Sequence, residues 1–193
     1  MSGALGLRER KKVAARQALH EAALRLATER GLDHVTTEAI ADAAGLSRRT
    51  FSNYFTGKEE AILYNDQREL SRLIDLVRAR PATESGWAAL RAGVRELSEG
   101  KHDIDRGEVL AVRLLKQHPA LVARQAAAYS ARERQVAEAL AGRDTGQVAP
   151  RVLAAALLVG VRLGTQLWLE GPEGESLLAS TEKALDQLGQ AFH

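Results

Sequence analysis

A short run of polar and basic residues, SRRTFSNYF at 47–55, carries the side chains with the most recognisable chemistry. The guanidinium groups of Arg48 and Arg49 can bind phosphate or make a bidentate contact to guanine. Asn53 can pair with the edge of adenine, and Thr50 can contact a thymine methyl group. These residue types suit contacts with nucleic acid, although a solvated charged surface is the alternative for any isolated arginine pair.

The elements around this run must hold it in place. Phe51 and Phe55 are four residues apart, so on a helix both rings share one face, and Ser47 is a suitable N-cap for that helix. Upstream, Thr37 can cap a second short helix, and Gly45 can turn the backbone with a positive φ. A short helix, a turn with glycine and another short helix form the pattern of a helix-turn-helix.

Longer helices are predicted on both sides of this pattern. The apolar residues at 12–30 recur at helical spacing. Thr56 and Glu59 match a capping box, T-x-x-E, which predicts a long helix over about 58–80 that ends before Pro81. Further helical patterns lie at 85–99, 105–117, 119–142, 150–170 and 175–191. The aromatic content of only 4% also favours helices, so we expect an all-α fold of about nine helices.

The last two predicted helices carry narrow seams whose members step by three and four residues. Such seams are typical of packing between helices, including helices of different subunits. We expect an interface between two copies of the chain to use Leu153, Leu157, Gly160, Gly164, Leu178, Leu185 and Leu188.

Charge is distributed unevenly along the chain. The formal net charge of +2 is too small to indicate nucleic-acid binding by itself. Near the N-terminus, however, a cluster of basic residues is accompanied by the single acid Glu9. The cluster consists of Arg8, Arg10, Lys11, Lys12 and Arg16.

Several classes of protein are excluded or disfavoured. The chain has no cysteine, and its five histidines lack the spacing of a helical zinc pair, so we expect no metal site and no cofactor. No motif of a hydrolase, nucleotidase or dinucleotide-binding enzyme occurs, which disfavours an enzyme. The longest apolar run, 152–161, is about half of the roughly 20 residues that a membrane span requires. We therefore expect a soluble cytoplasmic protein without a membrane partner.

The segment TTEAIADAAGLSRRTFSNYFTGKEEAI, residues 36–62, closely resembles the DNA-binding segment of the TetR family. The resemblance implies a helix-turn-helix domain at 1–57 and a ligand-binding and dimerisation domain at 58–193, with the helix at about 58–80 as connector. It also implies the following DNA-binding residues: Thr37, Ser47, Arg48, Arg49, Thr50, Ser52, Asn53, Tyr54 and Lys58. Members of the family often carry an aromatic residue where this chain has Ala27 and Ser52.

Lys58 fits that implied role on physical grounds. A cation in the first turn of a helix opposes the helix dipole, whereas a phosphate there is attracted by the amides and by the lysine. We therefore expect an anion beside Lys58.

Pockets between helices are commonly lined by aromatic and apolar side chains with few polar groups. On that basis the candidate effector pocket consists of Trp87, Leu114, Leu115, His118, Tyr129 and Trp168. Ordinary core packing is the alternative for each of them.

The resemblance predicts a homodimeric repressor that leaves a near-palindromic operator in double-stranded DNA when a small-molecule effector binds. Two helix-turn-helix heads would enter major grooves about 34–36 Å apart. The run at 47–55 looks most like actinobacterial members of the family, some of which respond to acyl-CoA or hydrophobic drugs. The alternatives are a regulator or activator without an effector and, less favoured, a helical enzyme that retains the head.

Overall fold

A computed structural model of the chain describes residues 6–99 and 104–190, and the regular structure in those residues is helical. The predicted all-α class is confirmed. These residues contain ten α-helices and a 3-10 turn at Leu32–His34, against about nine helices expected. The α-helices are α1 Leu7–Arg30, α2 Thr37–Ala43, α3 Arg48–Tyr54, α4 Lys58–Ile62, α5 Tyr64–Ala79, α6 Gly86–Ser98, α7 Arg106–Leu115, α8 Pro119–Glu138, α9 Pro150–Glu170 and α10 Leu177–Gly189.

The chain forms two compact units. Among the described residues, the first unit contains those up to Gln67 together with Gly107–Gln125, and the second contains Arg68–Arg106 and the residues from Ala126 onward. The expected division of function at residue 57 is a separate matter, and it stays a prediction.

The core of the first unit is built on α1. Leu19, Ala23 and Leu26 form a buried stripe of this helix, which packs against α2, α4 and the 3-10 turn. Ile40 of α2 and Phe51 of α3 fill the same core. This packing fixes the two short helices, which at seven residues each are too short to be stable alone.

Capping residues set where these short helices begin. Ser47 is the N-cap of α3, as predicted, and its Oγ accepts the N–H of Thr50 at 3.1 Å. For α2 the prediction was wrong by one residue. Thr36 is the N-cap, accepting the N–H of Ala39 at 3.1 Å, while Thr37 is the first helical residue. Only the backbone distinguishes two adjacent threonines that are equally suited to capping.

The long helix predicted over 58–80 is interrupted at Leu63, which separates α4 from α5. Ala61, Ile62 and Leu63 are all buried in the core of the first unit. Three successive residues point over about 200° of a straight helix. The interruption turns all three towards the core, and neither proline nor glycine marks it in the sequence.

The helix α4 begins one residue later than the predicted capping box requires. Gly57 is its N-cap, so the third helical position is Glu60 and not Glu59. The carboxylate of Glu60 accepts both the N–H and the hydroxyl of Thr56, at 2.8 and 2.6 Å. Burial opposes the charge on Glu60, but the two Thr56 bonds and the nearby Arg124 outweigh it, so its pKa lies below the ordinary value.

In the second unit, α10 packs along α9 at very short range. A Cβ atom added to Gly164 would lie 2.4 Å from the Cα of Thr181, and one added to Gly160 would lie 2.5 Å from the Cδ2 of Leu185. Larger residues at either glycine would therefore push the two helices apart. The fully buried Leu157 continues this contact into the core.

The helix α9 is more apolar than its longest uninterrupted run suggests. Its 21 residues include an 18-residue window of mean hydropathy 1.7, enough by length and composition to cross a bilayer. An apolar helix in a protein core meets the same criterion, and 33% of the window is buried inside this chain. Counting only uninterrupted apolar residues underestimated this helix.

Candidate nucleic-acid interface

The helix α3 is two-sided, as the spacing of its phenylalanines predicts. Phe51 is 1% exposed and Phe55 5%, and their ring centroids are 5.7 Å apart. The ring of Tyr64 packs edge-on against Phe55 at 5.5 Å and supports it. The residues exposed on and beside α3 are Ser47, Arg48, Arg49, Ser52 and Asn53. A polar and basic surface is thus held on a buried aromatic base.

The turn before α3 depends on Gly45, which has a φ of +66°. A Cβ atom built on Gly45 would meet nothing within 4 Å, so space is not the constraint. The left-handed backbone itself favours glycine, because other residues are strained there. This turn confirms the predicted link between the two short helices.

The two arginines of α3 have different surroundings. The Nε atom of Arg48 lies 2.9 Å from Oε1 of Glu38 in α2. The pKa of Glu38 lies below its ordinary value, mainly because its own backbone N–H and the Thr37 hydroxyl donate to the carboxylate, with Arg48 adding to the effect. Arg49 is exposed and has no hydrogen bond or ion pair to the part of the chain that the structure describes. Arg49 is therefore free to contact a base or phosphate without breaking an internal contact.

Thr50 and Tyr54 are half-buried, and each also has a structural contact. The hydroxyl of Thr50 lies 2.9 Å from that of Ser47, within the cap of α3. The guanidinium carbon of Arg16, in α1, lies 5.5 Å from the centroid of the Tyr54 ring, a cation–π contact. This contact joins the middle of α1 to the last residue of α3.

The ammonium group of Lys58 already has acceptors inside the protein. It donates to the backbone oxygens of Leu32 and Val35, at 2.8 and 3.0 Å. These carbonyl dipoles stabilise the ammonium group for which we expected an anion, and the two hydrogen bonds tie the start of α4 to the 3-10 turn. An ammonium has three donors, so one remains for a phosphate. The phosphate contact of Lys58 stays a prediction.

Two family profiles match the chain. The profile described as "Bacterial regulatory proteins, tetR family" matches residues 19–63, and that of the MftR C-terminal domain matches residues 84–193. The second match spans more than half of the chain. The chain belongs to the TetR family. It is a DNA-binding transcriptional regulator, and regulators of the TetR family bind operator DNA and small-molecule effectors and act as dimers.

Individual TetR-family proteins resemble the chain over most of its length. The HTH-type transcriptional regulator TcmR of Streptomyces glaucescens is 29% identical over 195 residues, covering 95% of this chain and 86% of TcmR. The structure of Thermus thermophilus FadR, a TetR-family transcriptional repressor in complex with lauroyl-CoA, is 28% identical with a TM-score of 0.56, covering 90% of this chain and 92% of FadR. NalD, the secondary repressor of the MexAB-OprM multidrug efflux pump in Pseudomonas aeruginosa, is 20% identical with a TM-score of 0.56, covering 94% and 96%, and shares the fold. These relatives are regulators of transcription.

The six predicted effector residues are divided between the two units. Leu114, Leu115 and His118 line a groove of about 530 Å³ in the first unit, beside the end of α1. In the second unit, Trp168 is buried and its indole N–H donates to the carbonyl of Glu175 at 2.8 Å. The two other predicted effector residues in the second unit are Trp87, which is buried, and Tyr129, which is 41% exposed.

The residues predicted for a dimer interface lie largely inside the second unit. Leu153, Leu157, Gly160, Gly164 and Leu185 are buried in the contact of α9 with α10 and in the adjoining core, while Leu178 and Leu188 are half-buried against that core. The close approach that the glycines permit is thus used within the chain.

Sequence reasoning gave no structural role to two residues of α1 that support the nucleic-acid interface, and it counted Arg16 only as part of the basic cluster. Arg16 stacks on Tyr54, and His20 accompanies it on α1. The buried ring of His20 hydrogen-bonds through Nδ1 to the carbonyl of Ala61 at 2.8 Å. His20 lies next to Leu19 in the buried stripe of α1, which was the available signal that its ring faces the core.

Proposed function

We propose that this protein is a repressor that binds a near-palindromic operator as a homodimer and leaves it when a small-molecule effector binds. The observation that carries the proposal is the exposed polar surface of α3, held by the buried rings of Phe51 and Phe55. The similarity to the repressor FadR, whose structure contains lauroyl-CoA, supports repression and an effector.

Within this proposal the exposed side chains of α3 make different contacts with DNA. Arg49, which has no partner among the described residues, makes a base contact in the major groove together with Asn53. When DNA binds, the Arg48 guanidinium leaves Glu38 and contacts a phosphate instead. Two parallel hydrogen bonds to a phosphate can replace its single contact with the carboxylate. Ser47, Thr50 and Ser52 border the same surface.

Phosphate contacts fix the position of α3 in the groove. We assign these contacts to Thr37, Tyr54 and Lys58, at the start of α2, the end of α3 and the start of α4. Together with α3 they place DNA binding in the domain 1–57 and its junction with α4. The remaining residues, 58–193, then serve effector binding and dimerisation.

A stripe on α9, separate from the seam that α10 covers, supplies the proposed dimer contact. Val152, Val159, Leu163 and Leu167 recur at helical spacing within about 80° of one another. All four are exposed or half-buried, and Val152 is 50% exposed. An apolar stripe of this kind is suited to pairing with the same stripe of a second copy.

The effector is proposed to be a small molecule with a large apolar part. The groove at the end of α1 supports this class, because Leu32, Leu114 and Leu115 contribute apolar walls and His118 and Gln117 contribute polar groups. A ligand in this groove would touch both α1 and α7. Its binding would therefore act directly on the helix that carries the core of the DNA-binding head. We place the protein in the cytoplasm, where operator DNA is found.

Selection of bound fragments from genomic DNA tests the proposal. We expect the purified dimer to enrich one near-palindromic sequence. Lauroyl-CoA and triclosan then serve as apolar probes, and each is screened for release of the selected DNA. Enrichment of no sequence would contradict the proposed function. DNA binding that requires a ligand would favour an activator instead.

A further inference from the structure

The first half of α1 carries a basic surface that the proposed operator contacts do not use. The helix starts at Leu7, whereas the tetR profile begins at residue 19, so three helical turns precede the matched segment. These turns contain five basic residues and the single acid Glu9. Arg8, Arg10 and Lys11 are exposed, and the Lys12 side chain is 42% exposed.

Part of this basic surface continues the buried stripe of α1. Arg8, Lys12 and Arg16 follow one another at intervals of four residues, and Leu19 and Ala23 extend the series into the core. With about 100° per residue, all five lie within about 80° of one another around the helix. Arg8 and Lys12 therefore face the side on which the rest of the head lies, whereas Arg10 points away from it.

The contact of Arg16 with Tyr54 fixes where this stripe runs. Tyr54 is the last residue of α3, and the Arg16 guanidinium lies over its ring at 5.5 Å. Since α1 continues from Arg16 towards Lys12 and Arg8, the basic stripe begins beside the end of the recognition helix. Because Tyr54 is one of the proposed phosphate contacts, the phosphate backbone of a bound duplex would pass beside the start of this stripe.

We propose that Arg8 and Lys12 form a second phosphate-binding surface, which lengthens the stretch of operator that each subunit contacts. The inference rests on the proposed function, because it requires α3 to lie in a groove. Arg8 is exposed, and Lys12 is paired with Glu9 at 3.5 Å, an ion pair at the protein surface that phosphate can displace. Such contacts add affinity that does not depend on sequence and that falls with salt.

The test compares two double variants with the same change in charge on the same helix. Arg8→Ala with Lys12→Ala removes the two proposed phosphate-binding charges of the stripe. Arg10→Ala with Lys11→Ala removes two neighbouring charges outside it, Arg10 on the opposite side of the helix and Lys11 about 60° from Arg8. The affinity for the selected operator is measured by fluorescence anisotropy across a series of salt concentrations. Each phosphate contact contributes about 0.9 to the slope of log affinity against log salt.

For a dimer that loses four contacts we expect the slope of the Arg8 and Lys12 variant to fall by about 3.6. The slope of the Arg10 and Lys11 variant should fall by less than half of that amount. Glu9→Gln, which frees Lys12 from its acidic partner, should bind more tightly than the wild type. Equal slopes in the two double variants, or a wild-type slope in the first, would overturn the proposal.

Misfolding and failure of the wider function are separated by two further measurements. Alanine has the highest helix propensity, so circular dichroism should show that both variants keep the helix content of the wild type. Arg72→Ala with Arg78→Ala removes two exposed charges from the second unit and should leave the slope unchanged. A wild type that binds no operator contradicts the proposed function, whereas normal binding with unchanged slopes contradicts this inference alone.

Discussion

Arg49 is the residue on which sequence recognition by α3 depends most directly. Its guanidinium group is exposed and has no partner among the described residues, so all of its donors are available to DNA. Arg49→Ala should weaken operator binding and relax the preference at one base position by about 1–3 kcal/mol. Arg48→Ala is the matched comparison, because the loss of a phosphate contact should weaken binding to all sequences alike. Selection from a randomised operator library measures both effects, and an unchanged base preference in Arg49→Ala would remove it from the reading surface.

Two adjacent threonines should separate folding from binding. Thr36 accepts the Ala39 N–H as the N-cap of α2, whereas Thr37 lies at the first helical position. Thr36→Ala should lower the free energy of unfolding by about 1 kcal/mol, the usual effect of losing such a cap. Thr37→Ala should leave stability nearly unchanged but weaken DNA binding by removing a hydroxyl near phosphate. Urea denaturation and DNA titration of both variants check this, and equal stability losses would show that the roles are not separate.

Local rules predicted some residues well and others poorly. The burial of Phe51 and Phe55, the cap at Ser47 and the positive φ at Gly45 follow from spacing and backbone chemistry within a few residues. The acceptors of Lys58 could not be predicted in this way. They lie 26 and 23 residues earlier in the chain, and only folding brings them to the start of α4.

At the scale of elements, the joint between α1 and α4 should make the head sensitive to acid. Burial, the largest influence, lowers the pKa of His20 below its ordinary 6.5 despite the hydrogen bond to the Ala61 carbonyl. The folded protein therefore binds this proton less readily than the unfolded chain. The stability that neutral His20 contributes is present above about pH 6.5 and is lost as the pH falls through the lowered pKa.

Guanidinium denaturation at a series of pH values measures this effect. The wild type should lose stability between pH 7.5 and pH 5, which spans the ordinary histidine range. His20→Gln keeps an N–H donor for the Ala61 carbonyl but does not titrate, so its stability should change less over the same range. A variant whose pH dependence matches that of the wild type would exclude His20 as the cause.

Helix boundaries show why elements are only partly predictable. The helix over 150–170 is found as predicted, because Pro150 begins it and Gly171 ends it. The interruption at Leu63 has no local signal, since it results from burying three successive apolar residues in one core. The seam residues of α9 were predicted for an interface between two copies, and in the structure they pack within the chain, Gly160 and Gly164 directly against α10. A repeat pattern does not distinguish a partner helix in the same chain from one in another.

At the scale of the whole molecule, the proposed dimer depends on the second apolar stripe of α9. Val159→Glu with Leu163→Glu places carboxylates in the middle of that stripe, where pairing would bury them. We expect a monomer whose operator affinity is strongly reduced, because two linked heads no longer bind together. Light scattering after gel filtration measures the mass, with Val122→Glu, at a 49% exposed position in the first unit, as control. A variant that remains dimeric would place the interface elsewhere.

The proposed effector site is the feature of the whole molecule that the sequence predicts least. Aromatic and apolar residues occur both in cores and in pockets, so composition does not separate the two roles. Leu114 and Leu115 line a groove in the first unit. Trp168, by contrast, is held within the second unit by its hydrogen bond to the carbonyl of Glu175 and by the guanidinium carbon of Arg106, which lies 4.9 Å from the centroid of the Trp168 ring. The identity of the ligand depends on the shape of the pocket, which no local pattern encodes.

Hydroxyl-radical footprinting of the wild-type protein on its selected operator tests the central claim most directly. If two copies present α3 to successive major grooves, protection should show dyad symmetry with half-sites about 34–36 Å apart. The Arg49→Ala protein should lose this pattern at the same concentration. A footprint without dyad symmetry, or one that Arg49→Ala leaves unchanged, would contradict the account.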